Sequence, residues 1–256
     1  MSGQIRTLYE ITLQLVLKDL RGKYKGTWLG YLWSLGTPLF MAIVLDIAFR
    51  RIVRIQVENY ALFLITGLFT WQWFNVSVNG GARSFLDNAS LIKKVIFPRY
   101  LVPASHTLVE GFHFIMALPV IMILLAYHGL PWLRLGWLYQ FPLLLMLHFM
   151  ISCGAALIAA SLNTLFRDME RVIALGTTLL FYMTPVIYPM KMIPPDLLPY
   201  FQLNPLTNLI TLWRDAMLTG HIDWSLMPVT VMTAIATFLI GGIIYRLLTP
   251  RFAEVL

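Results

Sequence analysis

Three titratable residues in one apolar stretch come closest to forming a reactive centre. His106, Glu110 and His113 stand at positions i, i+4 and i+7. On a helix this spacing places them on one face, where they could bind a metal ion or relay protons. The same spacing suits hydrogen bonds between helices. Because the sequence offers no further ligand of matching depth, we expect no metal site and no catalytic residue here. A membrane enzyme built on these three residues remains an alternative.

The sequence lacks the motifs of common hydrolases. It contains no glycine-rich phosphate loop ending in Gly-Lys-Ser/Thr, no nucleophile elbow and no zinc-protease helix. We therefore expect this chain to bind no cofactor and to hydrolyse no ATP by the phosphate-loop route.

The composition indicates an integral membrane protein. Of its 256 residues, 59% are hydrophobic and 12% are charged, whereas about a quarter of a soluble domain is charged. Its apolar runs reach the roughly 20 residues that a helix needs to cross a bilayer. The net charge of +7 comes from basic residues that stand beside these runs. Such a pattern sets membrane topology and does not indicate nucleic acid as a partner.

The apolar runs predict an all-α fold with six transmembrane helices, as one domain over residues 1–256. The predicted spans are Trp28–Phe49, Tyr60–Ala82, Tyr100–Tyr127, Trp137–Phe166, Val172–Tyr188 and Leu226–Leu248. Lysine and arginine predominate on the side that carries both termini, so we expect both termini to be cytoplasmic. Small residues recur every four positions along the fourth span, at Ser152, Ala156 and Ala160. This pattern predicts close helix packing.

Two segments outside these spans are too apolar for plain loops. Residues 4–21 predict an amphipathic helix in the membrane interface, followed by a basic link to residue 27. A partner-binding or solvated helix is the alternative. Prolines divide residues 189–225 into pieces too short to cross a bilayer. Two short helices that re-enter from the outer face fit this segment, and an external amphipathic cap is the alternative.

Aromatic residues are frequent in and beside the predicted spans. Their rings could lie against the CH faces of sugars in a hydrated channel, although lipid-facing or packing aromatics are the alternative. The candidate channel residues are Tyr31, Trp33, Phe40, Phe69, Trp71, Trp73, Phe74, Phe181 and Tyr182.

Four stretches, taken in order, resemble a known family. They are "NASLIKKVIFPRYLVP" between spans two and three, "LFRDMERV" at the start of span five, "TPVIYPMKMIP" at its end and "LNPLTNLITLWRDAML" before span six. This ordered set resembles the membrane subunit of bacterial ABC exporters for cell-surface polysaccharides, namely O-antigen, capsule or teichoic acid. The resemblance extends over essentially the whole chain.

The resemblance implies that the loop between spans two and three is a coupling helix, which docks on a separate ATPase. Its apolar contacts would be Leu91, Ile92, Val95 and Ile96, surrounded by Lys93, Lys94 and Arg99, and Pro98 would fix the exit into span three. A basic interfacial loop that only obeys the positive-inside rule is the alternative.

The resemblance also implies an assembly and a cargo. Two copies of this chain would join two ATPase subunits, which carry the ATP and Mg²⁺, in a bacterial inner membrane. The cargo would be a glycan linked by a diphosphate to a polyprenyl lipid, with Arg21, Lys23 and Lys25 as candidates for the diphosphate unless topology alone places them there. The candidates for closing the channel outside are Pro195, Tyr200, Phe201, Asn204, Trp213 and Arg214. An exporter of the same fold for a drug or a simple lipid is the alternative.

Overall fold

The computed structural model describes residues 3–24, 32–52, 59–131 and 133–252, and within them the chain is helical with no strand. The helices are α1 (Gly3–Tyr24), α2 (Leu32–Asp46), α3 (Tyr60–Asp87), α4 (Ala89–Lys94), α5 (Leu101–Tyr127), α6 (Trp137–Leu165), α7 (Met169–Tyr182), α8 (Leu198–Leu203), α9 (Pro205–Arg214) and α10 (Met227–Leu248). Wider π-helical turns extend α2 over Ile47–Ile52 and α9 over Asp215–Thr219.

Four helical segments in the described residues are long and apolar enough to cross a membrane. They are Tyr60–Asp87, Leu101–Tyr127, Trp137–Leu165 and Met227–Arg251, which confirms the predicted second, third, fourth and sixth spans. The first predicted span begins at Trp28, outside the described residues, and its apolar helical part covers Leu35–Phe49. The count of six spans therefore stays a prediction.

The fifth predicted span is shorter than expected. Helix α7 has 14 residues and ends at Tyr182, so it is about 21 Å long and its predicted end at Tyr188 is wrong. Pro185 explains the difference, because proline has no N–H to donate and disfavours helical angles at the residue before it. The chain turns instead over residues 183–186.

Helix α3 is the central element of the bundle. In the most apolar stretch of α3, 78% of the residues are buried, whereas only 22% are buried in the corresponding stretch of the span that contains α10. Helices α5, α6, α7 and α9 all pack against α3, and α6 also packs on α10. Other helices therefore cover α3 on several sides, and most of its residues are buried.

Helix α1 has two apolar sides. Leu15 is buried and packs with Leu8 and Ile11 in a cluster with Phe85, Leu101 and Phe252. Ile5, Tyr9 and Leu13 form the second apolar side, which is exposed. The helix is present as predicted, and its placement in a membrane interface stays a prediction.

The two short helices predicted before the last span are present as α8 and α9. Eight of the ten residues of α9 are buried, and the helix packs against α3, α6 and α10. An external cap does not fit the burial of α9, whereas α8 has no buried residue. That the two helices re-enter the membrane stays a prediction.

Candidate functional site

The polar trio of α5 joins helices together. Lys23 of α1 places its Nζ 2.7 Å from Glu110 Oε1 and 3.0 Å from Oε2. The Nδ1 atom of His113 lies 3.2 Å from Glu110 Oε2. His106 points elsewhere, with its Nε2 atom 3.3 Å from the carbonyl oxygen of Val76 on α3. Within the described residues no group of three His, Cys, Asp or Glu side chains could hold a metal ion. The interpretation as hydrogen bonding between helices therefore fits the geometry.

A polar cavity of about 460 Å³ lies between α1, α3 and α5, on the side of Lys23 and Glu110. Its cations are already neutralised: Lys18 bonds to Asn88 and lies 3.7 Å from Asp19, and Arg83 Nη1 lies 3.3 Å from Glu170 Oε1. Burial raises the pKa of the Asp19 carboxyl above its usual range, and the nearby Lys18 opposes that shift. This cavity is therefore not a ready-made anion site.

The diphosphate candidates are placed differently from one another. Lys23 is engaged by Glu110, whose side chain is 4% exposed. Arg21 is exposed, and no partner for its guanidinium occurs among the described residues. Lys25 lies outside the described residues.

We expect Lys23→Ala to loosen α1 from α5. The variant leaves the buried Glu110 carboxylate without its cation, and a charged hydrogen bond of this kind contributes about 1.5–3 kcal/mol. Limited proteolysis should cut within α1 sooner, whereas Arg21→Ala should be cut like wild type. Exchanging the charges, as Lys23→Glu with Glu110→Lys, should restore part of the protection. Unchanged proteolysis of Lys23→Ala would show that this ion pair does not hold α1.

The coupling segment is a short helix with an anchored side and a free side. Helix α4 ends at Lys94, and Val95 is already extended. Ile92 is buried with Phe85, Leu101 and Phe252 of its own chain, which leaves little of its side chain for the predicted contact with a partner. The accessible residues are Lys93, Lys94, Val95 and Ile96, while Leu91, Pro98 and Arg99 are half-buried. The carbonyl of Pro98 accepts the Leu101 N–H at 3.0 Å, at the start of α5.

The candidate channel aromatics separate into core and surface residues. Trp73 is a core residue: its Nε1 donates to the carbonyl of Thr107 at 3.1 Å, and its ring centroid lies 4.0 Å from that of His148. Phe69 and Phe74 are buried too. Trp33, Phe40 and Tyr182 are exposed and Phe181 is half-buried, while Tyr31 lies outside the described residues.

Trp71 lies at the boundary between these groups. Its ring contacts Phe181 at 5.4 Å between centroids, beside a cavity of about 270 Å³ between α2, α3 and α7. The same cavity is lined by polar residues that our sequence analysis missed, namely Gln72, Asn75, Thr177 and Thr178. The signal in the sequence was that Gln72 and Asn75 stand three residues apart and so share one face of α3. The aromatic residues around them drew attention away from it.

The turn after α7 is held by side chains from two helices, α3 and α9. Arg214 donates to the carbonyls of Pro185 at 3.0 Å and Val186 at 2.9 Å. Its guanidinium lies 3.5 Å from the ring centroid of Phe63. The Tyr60 hydroxyl donates to the Ile187 carbonyl at 2.6 Å. Residues 185–187 are thus fixed through their own backbone.

The six outer-gate candidates also separate into two groups. Trp213 and Arg214 are buried, and Trp213 packs on Phe114 at 4.8 Å. Asn204 joins the two groups, since its Nδ2 donates to Thr184 Oγ1 at 2.8 Å and its Oδ1 caps α9. Pro195 and Tyr200 are exposed, and Phe201 is half-buried.

The described residues form a helical membrane-protein bundle with a loop helix α4 anchored through Ile92 and a buried helix α9 packed on α3, an architecture that suits a membrane transport subunit. Residues 12–218 match the family model of ABC-2 type transporter membrane proteins, and the chain belongs to that family. The resemblance noted in the sequence is thereby confirmed. Its relatives are named as permeases or transport proteins, so the chain is a transport component and the membrane-enzyme alternative is not supported.

Particular relatives are similar over nearly their whole length. An O-antigen export system permease protein RfbA of Klebsiella pneumoniae is 38% identical over 249 residues, covering 97% of this chain and 96% of the relative. A protein of the same name from Myxococcus xanthus is 29% identical over 259 residues, covering 98% of each. The polysialic acid transport protein KpsM of Escherichia coli is 24% identical over 235 residues, covering 91% of each.

Proposed function

We propose that this chain is the permease subunit of an ATP-driven exporter of O-antigen-type polysaccharide. Two copies would form a channel in the inner membrane, with both termini cytoplasmic, and two ATPase subunits would supply ATP hydrolysis. The cargo would be a glycan linked through a diphosphate to a polyprenyl lipid. The observation that carries the proposal is the 38% identity over nearly the full length to an O-antigen export permease.

Helix α4 supports the coupling role because it is both anchored and accessible. Ile92 holds it in the core, while Val95 is half-exposed and Ile96 is fully exposed beside Lys93 and Lys94. A large apolar residue with no cover at the tip of a basic loop marks a contact surface better than a lipid-facing one. A movement of α4 caused by the ATPase would be transmitted directly to α3 and α5, because α4 connects them in the chain.

The exposure of the candidate residues also suggests which of them act at the two ends of the proposed export pathway. On the cytoplasmic side Arg21 is the better diphosphate candidate, because Lys23 already binds Glu110. On the outer side α8, with Tyr200 and Phe201, is the movable gate, because α9 is buried and fixed. Asn204, between α8 and α9, is where a hinge would lie.

We expect Ile96→Asp to abolish most export while the protein still folds. The side chain is fully exposed, so its replacement costs little stability, but a carboxylate in an apolar contact with the ATPase is costly. The test is complementation in a bacterial strain that lacks its own O-antigen export permease, with surface glycan measured by gel and antibody. Wild type should restore surface glycan and Ile96→Asp should not.

The control is Leu133→Asp, an exposed apolar residue between α5 and α6, which should export normally. Co-purification of the ATPase should be lost with Ile96→Asp alone. A wild type that is abundant in the membrane yet restores no surface glycan would contradict the proposed cargo. Normal export by Ile96→Asp would contradict the coupling role of α4.

A further inference from the structure

A polar stripe runs along α3 from its cytoplasmic end to mid-membrane depth. Gln72, Asn75, Asn79 and Arg83 are separated by three, four and four residues, so they share one helix face. Gln72 is twelve residues from the outer end of α3 at Tyr60, or about 18 Å along the axis. The hydrocarbon core of a bilayer is about 30 Å thick, which places Gln72 well inside it.

The cytoplasmic half of this stripe is bonded to α7. Arg83 Nη1 lies 3.3 Å from Glu170 Oε1, and Asn79 Nδ2 donates to Thr177 Oγ1 at 3.1 Å. These pairs hold α3 and α7 together, so that part of the stripe has a structural explanation.

In the upper half of the stripe, Asn75 Oδ1 accepts a hydrogen bond from Asn79 Nδ2 at 2.9 Å, whereas Gln72 lacks such an explanation. Gln72 is half-buried, and its amide has no hydrogen-bond partner among the described residues. Together with Asn75 and Thr178 it lines the cavity of about 270 Å³ between α2, α3 and α7. An unpaired amide in an apolar medium costs about 2–7 kcal/mol, and polar side chains at this depth face a cavity or a partner. The cavity is therefore wet or holds a polar ligand.

The other walls of the cavity are aromatic. Trp71 and Phe181 meet at its edge with 5.4 Å between ring centroids, and Tyr182 is exposed beside them. Ring faces next to amide and hydroxyl groups match the two sides of a sugar, which offers CH surface and hydroxyls. A drug or an acyl chain would use the rings and leave the Gln72 amide unpaired.

We propose that Gln72, Asn75 and Thr178 form a sugar-contacting patch, at which hydroxyls of the passing glycan bond to the wall of the permease. The inference rests on the proposed function and names where the cargo touches this chain. Each neutral hydrogen bond contributes about 0.5–1.5 kcal/mol, so three such groups hold a sugar briefly and release it. Weak contacts suit a cargo that must move on.

The first test uses thiol labelling in the full exporter, assembled with its ATPase in vesicles. Gln72→Cys and Thr178→Cys should react with a membrane-impermeant maleimide, and the reaction should slow while lipid-linked glycan is being exported. Met232→Cys on α10 is the matched control, because it is exposed at an open apolar groove and should not react. The native Cys153 is 2% exposed and is replaced by serine in all variants.

The second test measures rate. Gln72→Leu should lower the export rate roughly fivefold, which corresponds to about 1 kcal/mol for a lost hydrogen bond, at unchanged abundance. Met232→Leu should export like wild type.

The proposal is overturned by several results. An unreactive Gln72→Cys in an active exporter would mean that a second copy of the chain or lipid covers the cavity. Labelling that cargo does not slow would mean a wet wall without sugar contact. In both cases wild-type export stays intact, so the proposed function survives. Absence of export by wild type itself would remove both.

Discussion

Replacing Arg214 by methionine is expected to destabilise the end of the bundle beside the turn after α7 by about 3 kcal/mol or more, since hydrogen bonds from charged groups contribute about 1.5–3 kcal/mol each. The guanidinium donates to two consecutive carbonyls, those of Pro185 and Val186. Methionine fills a similar volume but donates nothing, so both carbonyls are left unpaired in a buried place. The contact of the guanidinium with the Phe63 ring is lost as well.

The measurement is the melting temperature of the purified exporter together with surface glycan in cells. A loss of about 3 kcal/mol corresponds to a fall of roughly 6–12 °C for a chain of this size. The melting temperature of Arg214→Lys should lie between those of wild type and Arg214→Met, because lysine keeps the charge but cannot make the planar, two-pronged contact. Arg246→Met, at an exposed arginine of α10, is the control and should melt like wild type.

Gly67→Ala tests the same contact from the opposite side. A Cβ atom at Gly67 would meet the Arg214 guanidinium and would lie 2.9 Å from the Val186 carbonyl oxygen. The variant should therefore displace the outer turn and lower the melting temperature, although every Arg214 donor is kept. Wild-type stability of both Arg214→Met and Gly67→Ala would show that residues 185–187 are held by other groups.

The sequence is informative where one property decides the structure. Long apolar runs can only be buried or cross a membrane, so the helices Leu101–Tyr127 and Trp137–Leu165 were predicted to within a residue or two. Proline determines where a helix ends. The end of α7 was misplaced because our prediction gave the hydrophobicity of Val186 and Ile187 more weight than Pro185. Those two residues are buried, but in a turn against α3 and α9.

Which face a residue presents was beyond the sequence. Trp71 and Trp73 are two positions apart on α3 and equally aromatic, yet Trp73 is enclosed by Phe114 and His148 whereas Trp71 borders a cavity. Because α3 is covered on several sides, its hydrophobic pattern has no period that separates aromatics of the core from those beside the cavity.

Long-range pairing was also beyond the sequence. Lys23 and Glu110 are 87 residues apart, and each was assigned to a different hypothesis. The pairing shows that Lys23 helps to hold α1 in place, and of the two described diphosphate candidates it leaves Arg21 as the one without a partner among the described residues. The positive-inside rule and diphosphate binding both predict basic residues in this segment. Only the contact of Lys23 with Glu110 distinguishes Lys23 from Arg21.

Substitution of Gly154 is the second change with a large expected effect, because two helix backbones touch there. A Cβ atom at Gly154 on α6 would lie 2.7 Å from the carbonyl carbon of Thr237 and 2.8 Å from the Cα atom of Phe238 on α10. Reciprocally, a Cβ atom at Gly241 would lie 2.8 Å from the Gly154 Cα atom. These neighbours are backbone atoms, so no rotamer change relieves the contact. Helix α10 has to move away as a whole.

Gly154→Leu should therefore leave little folded protein in the membrane, and Gly154→Ala should destabilise by about 1–3 kcal/mol, the usual range for overpacking. Helix association in lipid depends on such close packing, since burial of apolar surface gives no driving force there. The control is Gly242→Ala, one residue along α10 from Gly241, where an added Cβ meets nothing within 4 Å. Thermal melting of the purified exporter should separate Gly154→Ala from both Gly242→Ala and wild type. If Gly154→Ala has the same melting temperature as wild type, α6 and α10 are not in backbone contact. The small residues of α6 then serve only its contact with α3, where Gly81 meets Ala156.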